Sequence, residues 1–303
     1  MKVLVTGGAG FVGSNLSATL LGEGYDVVIL DDLSCGREEN IRLLKADFIK
    51  GSIEDTALID SLAGKRFGVI FHEAAITDTT VVDEKKMTGV NVDGFRNILK
   101  LAQKEKSRVV YASSAGVYGN GPVPMKETQK LLPLNSYAVS KAKMDEIAPL
   151  FTRETGLPAV GLRYFNVYGP KETHKLKAAS MIWQLAEKMK KGIAPRIFKH
   201  GEQDRDFIYV KDVIDATIKA SQAKKGGVVN AGTGIATTFN RIIEILNSVL
   251  KTNFKPEYFD NPYGFYQDHT LAEVTNAREL VGFTAKYSIK DGIEDYFKDE
   301  TLA

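Results

Sequence analysis

Short, almost unbroken apolar runs recur along this chain, separated by stretches with helical spacing. KVLVTG (2–7), DVVIL (26–30), ADFIKG (46–51), GVIFHEA (68–74), RVVYASS (108–114) and PAVGLRYF (158–165) read as strands. Helical patterns occupy 11–23, 55–63, 84–105 and 137–155. Strands alternating with helices predict βαβ units. Strands that are apolar on both faces predict a parallel sheet covered on both sides. After residue 165 the alternation becomes irregular: a helix over 178–191, a strand then a helix over 207–223, and a helix over 238–251. The expected fold class is α/β, a doubly wound parallel sheet with a smaller C-terminal lobe. The larger lobe is expected to take residues 1–165 and a returning segment near 207–232, the smaller one 166–206 and 233–303.

Composition narrows the picture only by exclusion. Of 303 residues, 44% are apolar and 26% charged, and 40 basic against 38 acidic residues leave a formal charge of +2. No basic excess points to nucleic acid or a membrane surface. The single cysteine, Cys35, allows neither a disulfide framework nor a cysteine-built zinc site, and no metal is expected. The opening MKVLVTGGAG turns glycine-rich too early for a secretory signal, and no apolar run is long enough to span a bilayer. The expectation is a soluble cytoplasmic protein.

The first chemical signal is TGGAGFVG (6–13), which follows a strand and opens a helix. Gly7, Gly10 and Gly13 permit a tight turn and close approach of backbone to a pyrophosphate, which the helix N-terminus attracts. Asp31 ends the second strand, where a carboxylate can bond adenosine ribose hydroxyls. Asp32 beside it adds repulsion against a 2′-phosphate. That favours NAD over NADP, an argument that Arg37 could offset.

The second signal is YAVSK (137–141). Tyr137 and Lys141, at i and i+4, share one helix face. Taken alone, they read as a half-exposed helix surface or as a phenol base tuned by an ammonium. The cofactor loop shifts the balance. Ser113 and Ser114 end the fifth strand, at the edge where ligands of such sheets bind. A hydroxyl there, followed by Tyr-x-x-x-Lys, supplies a group to orient an alcohol, one to move its proton and one to hold the nicotinamide ribose.

This combination resembles the extended short-chain dehydrogenase/reductase family of nucleotide-sugar enzymes, over nearly the whole chain. The resemblance implies a Rossmann fold of about seven strands, ordered 3-2-1-4-5-6 with one more, and a nucleotide-diphosphate sugar lying between the lobes. It implies Ser114, Tyr137 and Lys141 as catalytic residues. Glu73, Ala74, Ala75 and Asn91 are implied as cofactor contacts, with Phe11, Val12 and Val167. Ser52 and Ile53 fall at the adenine edge, where Ser52 lacks the aspartate often found in the family. RYFNVYGP (163–170) and RDFIYVKDV (205–213) imply that Asn166 and Arg205 bind the substrate diphosphate. Members are often dimers through a four-helix contact, for which 84–105 and 137–155 are the candidates.

Dehydratases of the family carry an Asp-Glu pair just after the serine, and Ala115-Gly116 stand here instead. VYGPKETHKLKAAS (167–180) and HEAAITDTTVVDEKKM (72–87) resemble the ADP-L-glycero-D-manno-heptose 6-epimerases. In those, a lysine of the first segment is a second acid/base, and Lys175 matches it. Such a lysine needs its pKa lowered by burial or by cations, and His174, Lys171 and Lys177 are near in sequence. Further substrate positions implied are Thr77, Lys177, Gln184, Phe198, Gly201 and Tyr266. Two positions depart from the pattern: Gln184 replaces a usual histidine, and Phe265 a usual arginine. A UDP-hexose 4-epimerase is the rival reading, and a non-catalytic NAD-sensing protein the reading from another class.

Overall fold

The computed structural model describes residues 1–78, 83–261 and 267–298. Its strands are β1 (Lys2–Thr6), β2 (Asp26–Asp31), β3 (Asp47–Lys50), β4 (Val69–His72), β5 (Arg108–Ser114) and β6 (Ala159–Tyr164), followed by β7 (Asn166–Tyr168), β8 (Arg196–Phe198), β9 (Asp204–Tyr209), β10 (Gly227–Ala231), β11 (Ala236–Thr238) and β12 (Glu257–Phe259). The helices are α1 (Phe11–Gly22), α2 (Thr56–Ser61), α3 (Glu84–Thr88), α4 (Gly94–Glu105), α5 (Ser136–Thr155), α6 (Met181–Lys190), α7 (Val210–Ala220), α8 (Phe239–Leu250), α9 (Thr275–Val281) and α10 (Ile289–Phe297).

Seven strands form one sheet in the order β10-β6-β5-β4-β1-β2-β3. Every pairing in it is parallel, as the unbroken apolar runs predict. Val3 and Val5 of β1 pack into one core while Leu4 packs into the other. Val27 and Ile29 of β2 likewise part from Val28 and Leu30. Each strand therefore buries both faces, and only a parallel sheet clad on both sides accommodates that.

The returning stretch near 207–232 divides. Its β10 joins the sheet beside β6, while β9 pairs with β7 and β11 in a separate three-stranded sheet. A two-stranded β8–β12 pair completes the smaller lobe.

The helix expected over 84–105 is interrupted. One π-helical turn, Gly89–Asp93, separates α3 from α4. The inserted residue lets the buried Asn91 side chain turn inward, where its Oδ1 accepts from the Ile76 N–H at 2.8 Å and its Nδ2 donates to the Ile76 carbonyl at 3.1 Å. Such turns often mark functional sites. Among the described residues, no helix is long and apolar enough to cross a membrane.

Candidate active site

The carboxyl edge of the sheet opens into a cleft of about 940 Å³, the upper end of the ~300–1,000 Å³ usual for ligand sites. One end is the glycine loop. Gly7 has φ +66°, and a Cβ there would lie 2.6 Å from the Ala74 nitrogen. At Gly13 a Cβ would collide with the Gly7 carbonyl. These two glycines let the loop, α1 and the chain leaving β4 close on one another. Gly10 differs: the nearest atom to a Cβ there is the Gly7 oxygen, at 3.2 Å, and Gly10 itself lines the cleft. No side chain caps α1, so the N–H groups of its first turn are left for a ligand.

Asp31 is buried, and its two oxygens accept from the Ala9 N–H at 2.9 Å and the Leu33 N–H at 2.8 Å. Its carboxylate thus shapes the loop and retains lone pairs for a ligand. Burial pushes its pKa up, opposed by those two N–H groups. Asp32, Arg37 and Ile53 line the same end, with Phe11 and Val12. An uncapped helix start, a glycine cradle and a carboxylate on the adjoining strand fit a dinucleotide.

At the other end, Asn135 caps α5 by accepting the Ala138 N–H at 2.8 Å, which sets Tyr137 in the first turn. Ser114 stands close enough to the Tyr137 phenol to pull its pKa down, and the Gly116 N–H fixes the Ser114 Oγ at 3.1 Å. Ser113, the preceding residue, also lines the cleft and is 1% exposed. Lys141 is 1% exposed. Its Nζ donates to the Ala112 carbonyl at 2.7 Å and lies 5.8 Å from the centre of the Tyr137 ring.

Burial lowers the Lys141 pKa to about 8, against the pull of Glu73 and Asp145. The tyrosine does not follow the expectation. Its pKa is raised, first by burial and also by Glu73, with Ser114 opposing. The ammonium is spent on a backbone carbonyl, which leaves desolvation dominant.

Glu73 closes this end: its Oε1 accepts from the Tyr164 hydroxyl at 2.9 Å. Behind it lies a buried ion pair, Arg163 Nε to Asp145 Oδ2 at 2.9 Å. The Tyr111 hydroxyl donates to the other Asp145 oxygen, and Arg163 Nη1 donates to the Tyr118 hydroxyl at 2.9 Å.

Lys175 lines the cleft from the turn Thr173–Ala178, with its Nζ 5.6 Å from the centre of the Phe11 ring. It faces the glycine loop rather than Tyr137. Its pKa is lowered by burial, with Glu172 opposing. Lys171, Lys177 and His174 do not figure among the causes, so burial rather than neighbouring cations depresses this lysine. Glu172 anchors the turn, accepting from the Gly169 N–H at 3.1 Å and the Ser180 hydroxyl at 2.9 Å.

Ala74, Ala75, Thr77, Asn166, Val167 and Arg205 also line the cleft. Arg205 Nη1 donates to the carbonyls of Asp204 and Asp268, each at 2.8 Å.

Other expected residues lie elsewhere. Asn91 is wholly buried and braces Ile76 against Ser140, whose hydroxyl oxygen accepts from Nδ2 at 2.9 Å, so it positions the wall without touching the cleft. Ser52 Oγ accepts from the Glu54 N–H at 3.1 Å, and Glu54 lines the cleft in its place. Gln184 Nε2 donates to the carbonyls of Lys177 and Ala179, which ties the Lys175 turn to α6 and leaves Lys177 exposed outside the cleft. Phe198 packs on Phe259, with ring centres 4.9 Å apart, and a Cβ at Gly201 would meet the Asn240 amide. Tyr266 lies outside the described residues. Sequence reasoning passed over Tyr164 and Lys86, both cleft residues; Tyr164 sits inside the RYFN stretch already quoted. Among the described residues, no group of three metal-ligating side chains occurs.

Solved structures share this fold. An ADP-L-glycero-D-manno-heptose 6-epimerase from Helicobacter pylori is 38% identical, with a TM-score of 0.92 over 100% of this chain and 96% of its own. A UDP-glucose 4-epimerase from Thermotoga maritima, solved with UDP-glucose, is 32% identical, with a TM-score of 0.93 over 100% of both chains. A UDP-glucose 4-epimerase from Thermus thermophilus, solved with NAD, is 28% identical, with a TM-score of 0.87 over 98% of this chain and 99% of its own. The family model matches residues 3–232, which hold the glycine loop, Ser114, Tyr137 and Lys141 together. This chain belongs to the NAD dependent epimerase/dehydratase family, and NAD is its cofactor.

Proposed function

We propose that this protein is a nucleotide-sugar epimerase that inverts one carbinol carbon by transient oxidation, and that its substrate is an ADP-glycero-manno-heptose inverted at carbon 6. Residues 1–165, with α7 and β10, would form the cofactor lobe and the remainder the substrate lobe. Asn166 and Arg205, an amide and a planar cation on paired strands, suit the oxygens of a diphosphate.

Bound NAD supplies a reversible hydride acceptor. The protein's own task is to manage a proton and to hold the sugar. Ser114 orients the reacting hydroxyl, and Tyr137 exchanges its proton. Lys141 holds the cofactor ribose. Asn91, through Ile76, keeps the wall beyond β4 in place. On the return the sugar presents its other carbonyl face, so the oxygen moves and needs a second donor.

Lys175 is the observation that carries the reading. It is a half-buried lysine of lowered pKa on the glycine-loop wall. Tyr137 stands beyond β5 and Phe11 beyond β1, two strands apart in the sheet, or roughly 10 Å. Both groups line one cleft, and a second proton-bearing side chain there suits an oxygen that leaves the first when the carbinol turns. The identity to the heptose 6-epimerase, 38% against 32%, supports the same side.

A UDP-hexose 4-epimerase is the second reading, favoured by the TM-score of 0.93 to the UDP-glucose enzyme. It needs the Tyr137 phenol alone. Each nucleotide sugar, incubated separately and followed by NMR, discriminates. We expect inversion of ADP-heptose, and loss of most of that turnover in Lys175→Ala with NAD binding retained. Turnover of UDP-galactose, undiminished in that variant, would establish the second reading.

A further inference from the structure

A chain of hydroxyls runs behind the catalytic pair. The Tyr164 hydroxyl is 2.9 Å from Glu73 Oε1 and 3.0 Å from Thr217 Oγ1, and Thr217 Oγ1 is 2.8 Å from the Val213 carbonyl. Three oxygen–oxygen links need three protons. Tyr164 and Thr217 bring one each, and the carbonyl brings none. A neutral Glu73 supplies the third, donating to Tyr164, which donates to Thr217, which donates to Val213. An ionised Glu73 takes the Tyr164 proton and leaves one link unmade. The arrangement therefore accommodates both states of the carboxyl, with the Glu73–Tyr164 link reversing between them.

We propose that Glu73 is a positioning residue of the catalytic centre, a carboxyl that exchanges its proton with the open cleft, is held in either state by this chain, and thereby sets the charge under which Lys141 and Tyr137 work. This rests on the reading of Tyr137 and Lys141 as the proton-transfer pair. Lys141 and Tyr137 from α5 and Tyr164 from β6 face the carboxyl, and Thr217 from α7 stands behind Tyr164. The neighbouring His72 turns away, bonded to Thr6 at 2.8 Å, and burial lowers its pKa to about 3, so it stays neutral. Asp145, one turn beyond Lys141, is already paired with Arg163. Glu73 is thus the variable anion beside Lys141. Burial pushes its pKa up to about 7. Ionised, it holds the buried ammonium charged. Neutral, it leaves Lys141 to Asp145 and relieves the Tyr137 phenol of a nearby negative charge.

Two titrations of the NAD-loaded protein test this without any sugar substrate. Difference infrared spectroscopy should show a carboxylic acid C=O band that fades with a midpoint near pH 7. The band should be absent in Glu73→Gln. In Tyr164→Phe, where the carboxylate loses its donor, the midpoint should move to higher pH. NMR of protein carrying ¹³Cε-lysine should show the Lys141 midpoint falling by about one pH unit in Glu73→Gln. A residue that merely packs would leave that midpoint where it was.

An unmoved Lys141 midpoint overturns the proposal, as does a wild-type spectrum with no titrating carboxyl that Glu73→Gln removes. If Glu73→Gln does not fold, an unmoved carboxyl midpoint in Tyr164→Phe is equally fatal. Should no nucleotide sugar be turned over, the functional reading falls, while these two titrations still decide the role of Glu73.

Discussion

Replacing Gly7 and Gly10 one at a time separates the two tasks of the glycine loop. An alanine at residue 7 must adopt φ +66°, a left-handed conformation that costs about 1–2 kcal/mol. Its methyl would also sit 2.6 Å from the Ala74 nitrogen, where a relaxed contact is about 3.5–4.0 Å. The chain beyond β4 must then retreat by about 1 Å, an overpacking cost of about 1–3 kcal/mol. Together these give about 2–5 kcal/mol, a fall in thermal midpoint of about 3–8 °C for a chain of 303 residues. The alanine also pushes on Glu73, the residue before Ala74. At Gly10 the methyl meets only the Gly7 oxygen, at 3.2 Å, so Gly10→Ala should keep its midpoint within about 3 °C. What it loses is the open approach to the start of α1, and NAD should bind at least ~10-fold more weakly. The assay is thermal unfolding with and without saturating NAD, which stabilises any protein that binds it, alongside a fluorescence titration. A Gly7→Ala variant as stable as wild type, or a Gly10→Ala variant with wild-type affinity, would refute the reasoning.

Asp145→Asn should cost about 3–5 kcal/mol in chemical denaturation, because it strands the buried Arg163 guanidinium; a loss below 1 kcal/mol would show that the pair is not needed. Glu73, with its pKa raised from 4.5 to about 7, binds its proton more tightly folded than unfolded between those values. Its contribution to stability therefore falls as pH rises through that window, and by pH 8 it costs up to about 3 kcal/mol. Glu73→Gln should accordingly be more stable than wild type at pH 8 and nearly equal at pH 4.5; equal stability at both would contradict the burial of this charge. We expect a dimer through α4 and α5, on which Val139 and Leu150 stand 37% and 46% exposed. Changing both to lysine should give a monomer by sedimentation, and an unchanged sedimentation profile would place the contact elsewhere.

What could be read in advance followed from local rules. Apolar runs gave the strands, because burial on both faces leaves no alternation to mislead. The glycine spacing and Tyr-x-x-x-Lys lie within single elements, so their geometry is set by the strand–helix turn and the helix period. The π turn at Gly89–Asp93 was hidden, since it depends on hydrogen bonds between Asn91 and Ile76 that no periodicity records. Positions such as Ser52, Gln184 and Phe198 occur in the expected stretches. Which way each faces is decided by the Glu54 N–H, the carbonyls of Lys177 and Ala179, and the Phe259 ring. The tyrosine's raised pKa was equally invisible: burial of the phenol raises it first, and the Lys141 ammonium that could oppose this is bonded to the carbonyl of Ala112 on β5. Glu73, Tyr164 and Thr217 meet only because β4, β6 and α7 converge.

Inversion by transient oxidation requires that the hydrogen leaving carbon never meets water. A nucleotide sugar carrying deuterium at the carbon to be inverted, turned over in ordinary water and analysed by NMR, measures that directly. The account predicts that the inverted product keeps its deuterium and that Tyr137→Phe forms almost none of it. Loss of the deuterium to solvent during inversion would contradict it.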